Sequence, residues 1–224
     1  KAKVTSHEVA ALAGVSRSAV SRTYTSGASV SARTREKVVA AATKLGYRPN
    51  ALARSLIVRR TQLIGLVMAE WENPFYTRML RLFSERVQAE GYQLLLQTSD
   101  SEADADDAIR RLLQYQVDGV IVVSARPSAV AAAECLRSGT PLVLLNREIA
   151  AAHASSVTCD NRQIGRDTVA PAIKAGYKRL ALVRGDPTAI TSEERTKAIR
   201  RAVAAAKAAR IVAEIDDCFG YDPG

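Results

Sequence analysis

Five short apolar runs recur beyond residue 62: LIGLVMA (63–69), YQLLLQT (92–98), GVIVVSA (119–125), PLVLLN (141–146) and RLALVRG (179–185). Each is too short for a buried helix and too apolar for a strand with one wet face. Each therefore predicts a strand of a parallel sheet covered on both sides. Helical patterns fall at 75–90, 103–115, 127–138, 161–175 and 191–208, between or after these runs. Strand and helix alternating at this spacing predict a doubly wound α/β core over residues 62–224. The alanine-rich run RRAVAAAKAA belongs to the last helix.

Ligands of such sheets bind outside the carboxyl ends of the strands. The loops there supply Asn73, Phe75, Asn146, Arg147 and Asp160, with Arg195 just beyond the last one. An aromatic wall with amide, carboxylate and guanidinium groups suits a polyhydroxylated or carboxylated small molecule. Local roles compete with that reading: Asn73 and Asn146 also suit turns or caps, and Asp160 the N-cap of the next helix.

The first sixty residues are of another kind. They hold 12 Lys/Arg and 2 Asp/Glu, whereas the remaining residues hold 20 and 21, so the whole net charge of +9 originates at the start of the chain. Such a balance displaces counterions from a phosphate backbone, although a solvated basic surface or contact with anionic lipid would show it too. Thr5 or Ser6 can cap a first helix with Val9, Ala10, Leu12 and Ala13 inward. Gly14 then makes a turn, and Ser16 caps a second helix with Ala19 and Val20 inward. Ser31 caps a third, with Val38, Val39, Ala42 and Leu45 on one face and Gly46 as its C-terminal stop. This is a small all-α helix-turn-helix unit over 1–46.

The outer face of the second helix carries Arg17, Ser18, Ser21 and Arg22. Arginine can bind guanine O6 and N7 with two hydrogen bonds, so Arg17, Ser18 and Arg22 are the candidate base readers. Thr5, Ser16, Ser21 and Thr34 are candidate phosphate contacts, which position without specifying. A linker over 47–61 contains Asn50, which can cap a short helix ALARSL. Ala53 and Leu56 lie close to one stripe of it, suited to a helix pair or to a wedge in a minor groove.

Four stretches, VTSHEVAALAGVSRSAVSR, VSARTREKV, LGYRPNALARSL and TQLIGLVMAEWENPF, resemble in order and spacing the signatures of the lac repressor family (LacI/GalR) of bacterial transcription regulators. The resemblance implies a DNA-binding headpiece, a hinge helix and a two-subdomain core, like that of periplasmic binding proteins, that binds an effector and dimerises. It places Arg17, Ser18 and Arg22 at base-reading positions, Asn50 on the DNA backbone and Leu56 at the operator centre. It raises Asp160 and Arg195, with Asn146 and Phe75, as effector contacts. It also implies that residues 62–224 form an incomplete core, whose C-terminal part is missing after CFGYDPG. The chain departs from the family at Thr23, Tyr24 and Thr25, where a Val/Leu–Asn sequence is usual, and at Pro171 and Ala172. A proline there predicts a kinked or shortened helix.

The implied function is a transcriptional repressor. It binds a near-palindromic duplex as a homodimer and responds to a sugar or related metabolite. Two other classes compare poorly. A nucleotide-binding enzyme would carry GxGxxG or a P-loop after the first strand, where this chain has AEWENPF, and His153, Cys159 and Asp160 form no motif. A sugar-binding transport protein needs export, and no apolar segment follows the basic start. Cys135, Cys159 and Cys218 show neither disulfide nor zinc spacing, so no metal, cofactor or catalytic residue is expected and a cytoplasmic location fits. No apolar run reaches membrane-spanning length, so no membrane partner is expected.

Overall fold

The computed structural model describes residues 4–25, 27–50, 60–69, 73–99, 102–146, 154–185 and 190–216. They fall into two compact units, Lys1–Arg59 and Arg60–Gly224.

The first unit holds α1 (Ser6–Ala13), α2 (Arg17–Thr23) and α3 (Ala32–Leu45). Thr5 is the cap of α1: its N–H and its hydroxyl both donate to Glu8 Oε2, at 2.8 and 2.9 Å. Gly14 ends α1 at φ +63°, a left-handed conformation that glycine adopts without steric cost, and Val15 N–H then reaches Ala10 O at 3.1 Å. Ser16 and Ser31 accept from Ala19 N–H and Thr34 N–H and start the other two helices.

Val9, Ala10, Val20, Val38, Ala41 and Ala42 meet in the small core of this unit. Two residues expected inside are not. Leu12 is 47% and Val39 46% exposed. On α3 the buried row is 38, 41, 42 and the half-buried 45, a clean i, i+3, i+4, i+7 stripe. Val39 lies about 100° around the helix from Val38, off that stripe.

The second unit contains β1 (Leu63–Met68), α4 (Pro74–Ala89), β2 (Gln93–Thr98), α5 (Glu102–Gln114), β3 (Gly119–Val123), α6 (Ala129–Arg137), β4 (Leu142–Leu145) and β5 (Ala154–Val157). It continues with α7 (Asn161–Lys174), β6 (Arg179–Arg184), α8 (Ile190–Ala206) and β7 (Arg210–Asp216). The first five strands form one all-parallel sheet in the order β2-β1-β3-β4-β5.

Strand periodicity assigns its two faces. Val67, Val120, Val122, Leu142 and Leu144 pack with Ile109, Leu112, Ala131, Ala132 and Cys135 of α5 and α6. Leu66, Met68 and Val123 point the other way, to Tyr76 and the half-buried Leu80 and Phe83 of α4. The strand order reverses between β1 and β3, which directs ligands to the carboxyl ends of these strands.

β6 and β7 form a separate parallel pair with a bulge between Leu180 and Ala181. The run RLALVRG was expected to be buried on both faces. Instead its residues alternate between exposed and half-buried, with Val183 62% exposed. A two-stranded sheet covers far less of β6 than two full layers would. Two strands lacked a recognised signal. β5 (ASSV) carries two serines, and β7 (RIVAEID) breaks its apolar residues with charges. Pro171 does not shorten α7, which runs on to Lys174. It stands in the last turn, where a lost N–H costs the helix a single bond.

Among the described residues, no helix is long and apolar enough to cross a membrane.

Candidate functional site

Burying Ala19, Val20 and Thr23 of α2 leaves Arg17, Ser18, Ser21 and Arg22 exposed on one side. Their backbone is held from three directions. Ser16 caps the start, and its hydroxyl lies 2.9 Å from that of Ser18. Thr23, buried, donates its hydroxyl to Ala19 O at 2.8 Å. Arg35 of α3 donates to Thr23 O at 2.7 Å, satisfying a carbonyl that a helix end would otherwise leave open.

The family departures at 23–25 thus have local roles. The Tyr24 ring packs against Tyr47 with centroids 6.1 Å apart, and the Thr25 hydroxyl bonds Ser21 O at 3.0 Å. Burial, reinforced by Tyr47, pushes the Tyr24 phenol above its ordinary value. Thr34 accepts the Ser31 hydroxyl at 2.8 Å, and Asn50 is exposed. Ala53 and Leu56 lie outside the described residues.

The second unit has a cavity of about 360 Å³ between the carboxyl ends of β4 and β5, the start of α7 and a face of α8 that runs from Ile190 to Arg201. Asn146 and Asp160 line it; Asn73, Phe75 and Arg195 do not, and Arg147 lies outside the described residues. Asn146 is 9% exposed and left-handed at φ +58°, with its N–H on Val157 O at 2.9 Å. Ser124, at the matching place after β3, is also buried and left-handed at φ +62°. Strained non-glycine residues of this kind concentrate at ligand sites.

Asp160 caps α7 through Gln163 N–H at 2.9 Å. Arg195 acts one step back from the cavity: its Nε donates to Asn161 Oδ1 at 3.1 Å, while the Asn161 amide donates to Glu194 Oε2 at 2.6 Å. This chain of bonds fixes the orientation of Asn161, which lines the cavity. Asn73 caps α4 by accepting from Phe75 N–H at 3.0 Å. Phe75, 51% exposed, meets Tyr76 edge-on at 5.1 Å.

Among the lining residues that the sequence does not single out are Asn161, Arg162, Glu194, Lys197 and Arg201. The basic ones had a signal, since Arg162–Arg166 and Lys197–Arg201 are i, i+4 pairs on two neighbouring helices. Lys197 is paired with Glu193 at 2.5 Å, which lowers the Glu193 carboxyl.

Residues 5–50 match the lacI family of bacterial regulatory proteins, and residues 61–217 match the family of periplasmic binding proteins and the sugar binding domain of the LacI family. Catabolite control protein A of Priestia megaterium is 32% identical over 202 residues, covering 89% of this chain and 61% of that protein. The chain thus spans about three fifths of the length of such relatives. A lac repressor dimer bound to operator and the anti-inducer ONPF superposes with a TM-score of 0.85 at 23% identity, covering 97% of this chain and 66% of that one. The complex of the regulator CelR with cellobiose gives 0.61 at 30% identity, covering 99% and 68%.

Proposed function

The chain belongs to the LacI family of bacterial regulatory proteins, and on that premise we propose that it is a sequence-specific DNA-binding transcriptional repressor whose operator affinity is set by a small-molecule effector. The observation that carries this reading is the α2 face. Two arginines and two serines stand exposed on one side of a helix braced by Ser16, Thr23 and Arg35. That face enters the major groove, where Arg17, Ser18 and Arg22 read base edges. Thr5, Ser16, Ser21, Thr34 and Asn50 contact the backbone. Thr34 accepts from Ser31, which leaves its own hydroxyl hydrogen for a phosphate oxygen. Ala53 and Leu56 serve the hinge at the minor groove. One headpiece reads a half-site, so two copies act together on a near-palindromic operator. The protein works in the cytoplasm and catalyses no reaction.

The effector, a sugar or related metabolite, occupies the cavity beside Asn146 and Asp160. Arg195 holds Asn161 in place there, and Asn73, Phe75 and Arg147 remain further candidate effector contacts. The match of residues 61–217 to a sugar binding domain supports this placement. Coupling to DNA arises because the effector favours one arrangement of the core over another.

Selection of bound duplexes from a random pool, with and without candidate sugars at a fixed salt concentration, tests the reading. Enrichment of two related half-sites that responds to a sugar supports it. A pool that stays random contradicts it.

A further inference from the structure

Charge around the cavity is unevenly satisfied. Its two carboxylates already accept from the protein: Asp160 from Gln163 N–H at 2.9 Å, and Glu194 from the Asn161 amide at 2.6 Å. Lys197 is paired with Glu193. Among the described residues, the guanidinium groups of Arg162 and Arg201 form no hydrogen bond or ion pair. Both also line an adjoining groove of about 420 Å³ between α7 and α8, where Arg166 adds a third guanidinium.

α7, a helix of 14 residues, starts at this cavity with Asn161 on its wall, and α8 runs along it from Ile190 to Arg201. The amino end of α7 adds positive potential, which the Asp160 cap partly offsets. Each of these carboxylates accepts through one oxygen and keeps the other for a ligand hydroxyl, while the Arg162 and Arg201 guanidinium groups offer donors alone. A phosphate or carboxylate accepts from such forks with paired, charge-assisted bonds.

We propose that the effector is an anionic polyhydroxylated small molecule, a sugar phosphate or a sugar acid. Arg162 and Arg201 hold its charged group, and Asn146 faces its hydroxyls. This inference rests on the proposal that the cavity is the effector site.

Calorimetric titration of the full chain tests it at one ionic strength. The probes are matched sets built on glucose, fructose and ribose, each as the neutral sugar, its phosphate ester and its sugar acid, with inorganic phosphate alongside. The titrations are repeated with Arg162→Gln and Arg201→Gln. Both side chains are exposed, and far-ultraviolet circular dichroism checks that the variants fold. The expected result is that one anionic member binds at least roughly tenfold tighter than its neutral parent and loses about that factor in either variant. The ester and acid arms then tell phosphate from carboxylate recognition. A neutral sugar binding as well as its anionic derivatives overturns the inference and leaves the effector reading standing. So does an anionic ligand indifferent to both substitutions. Failure of every probe to bind overturns both.

Discussion

Gly165 of α7 lies directly against Ala198 of α8: a Cβ at residue 165 would stand 2.6 Å from the Ala198 carbonyl carbon and 2.7 Å from its Cβ. The crossing sets the distance between the two helices that wall the cavity. Any side chain at 165 must push backbone from backbone. Gly165→Ala is expected to destabilise the second unit by roughly 1–3 kcal/mol, and Gly165→Val by more. Gly65→Ala is the informative contrast. Its Cβ would meet Leu112 Cδ1 at 2.6 Å, the end of a side chain that can rotate, and so should cost less. Thermal denaturation of the three variants checks the ranking. Equal losses for the two alanine variants would show that the helix crossing yields easily.

The Glu8 carboxyl is held below its ordinary value of 4.5, first by the Thr5 N–H and then by the Thr5 hydroxyl. A lowered folded-state value means that the ionised form is favoured by folding. The contribution is therefore full above pH 4.5 and is lost as pH falls through the lower, folded value. Acid titration of headpiece helicity should show wild type losing stability in that window, while Glu8→Gln, weaker at neutral pH, shows a flatter profile there. Parallel profiles would remove Glu8 from the account of α1.

The two described cysteines should differ sharply in reactivity. Cys135 is buried in the sheet core, and burial, with the charge of Glu134, pushes its thiol up to about 11. Cys159 is exposed at the cavity. Iodoacetamide at neutral pH, followed by peptide mass mapping, should label Cys159 and spare Cys135 until the protein unfolds. Comparable labelling of both in the native protein would contradict the described packing of α6.

Periodicity made much of this fold legible. The five apolar runs are all strands, and the helical spans expected at 75–90 and 161–175 are seen at Pro74–Ala89 and Asn161–Lys174. What escaped was short or compositionally mixed. ASSV offers no apolar period, and RIVAEID looks like an exposed edge because it largely is one. Apolar character alone puts Leu12 and Val39 inside, whereas the structure exposes both and the helical stripe of α3 excludes Val39.

At the cavity, a position after a recognised strand picks out Asn146, whereas Asp160 follows the unrecognised β5 and stands out as a helix N-cap and through the family resemblance. The roles of Arg162, Arg201 and Asn161 depend on how α7 crosses α8, a pairing distant in sequence. Arg195 was legible as a residue but not as the partner of Asn161, since local spacing says nothing of a bond 34 residues apart.

Arg22 stands in the last turn of α2, exposed beside Ser21 and Ser18. Arg22→Ala is expected to relax preference at one base pair of each half-site and to cost roughly 1–3 kcal/mol of specific binding. Headpiece folding should be unchanged, because no core residue is touched. Competition binding with single-base operator variants reads this directly. A uniform loss across all variants would make Arg22 a phosphate contact instead.

The central claim is that the braced outer face of α2 reads a DNA sequence. The most direct test is the ratio of affinities of the intact protein for its best selected duplex and for bulk genomic DNA, at one physiological salt concentration. The account predicts a preference of about 10³-fold or more, falling steeply in the Arg17→Ala/Arg22→Ala double variant while the residual, salt-sensitive binding persists. Equal affinity for the two DNAs would contradict it.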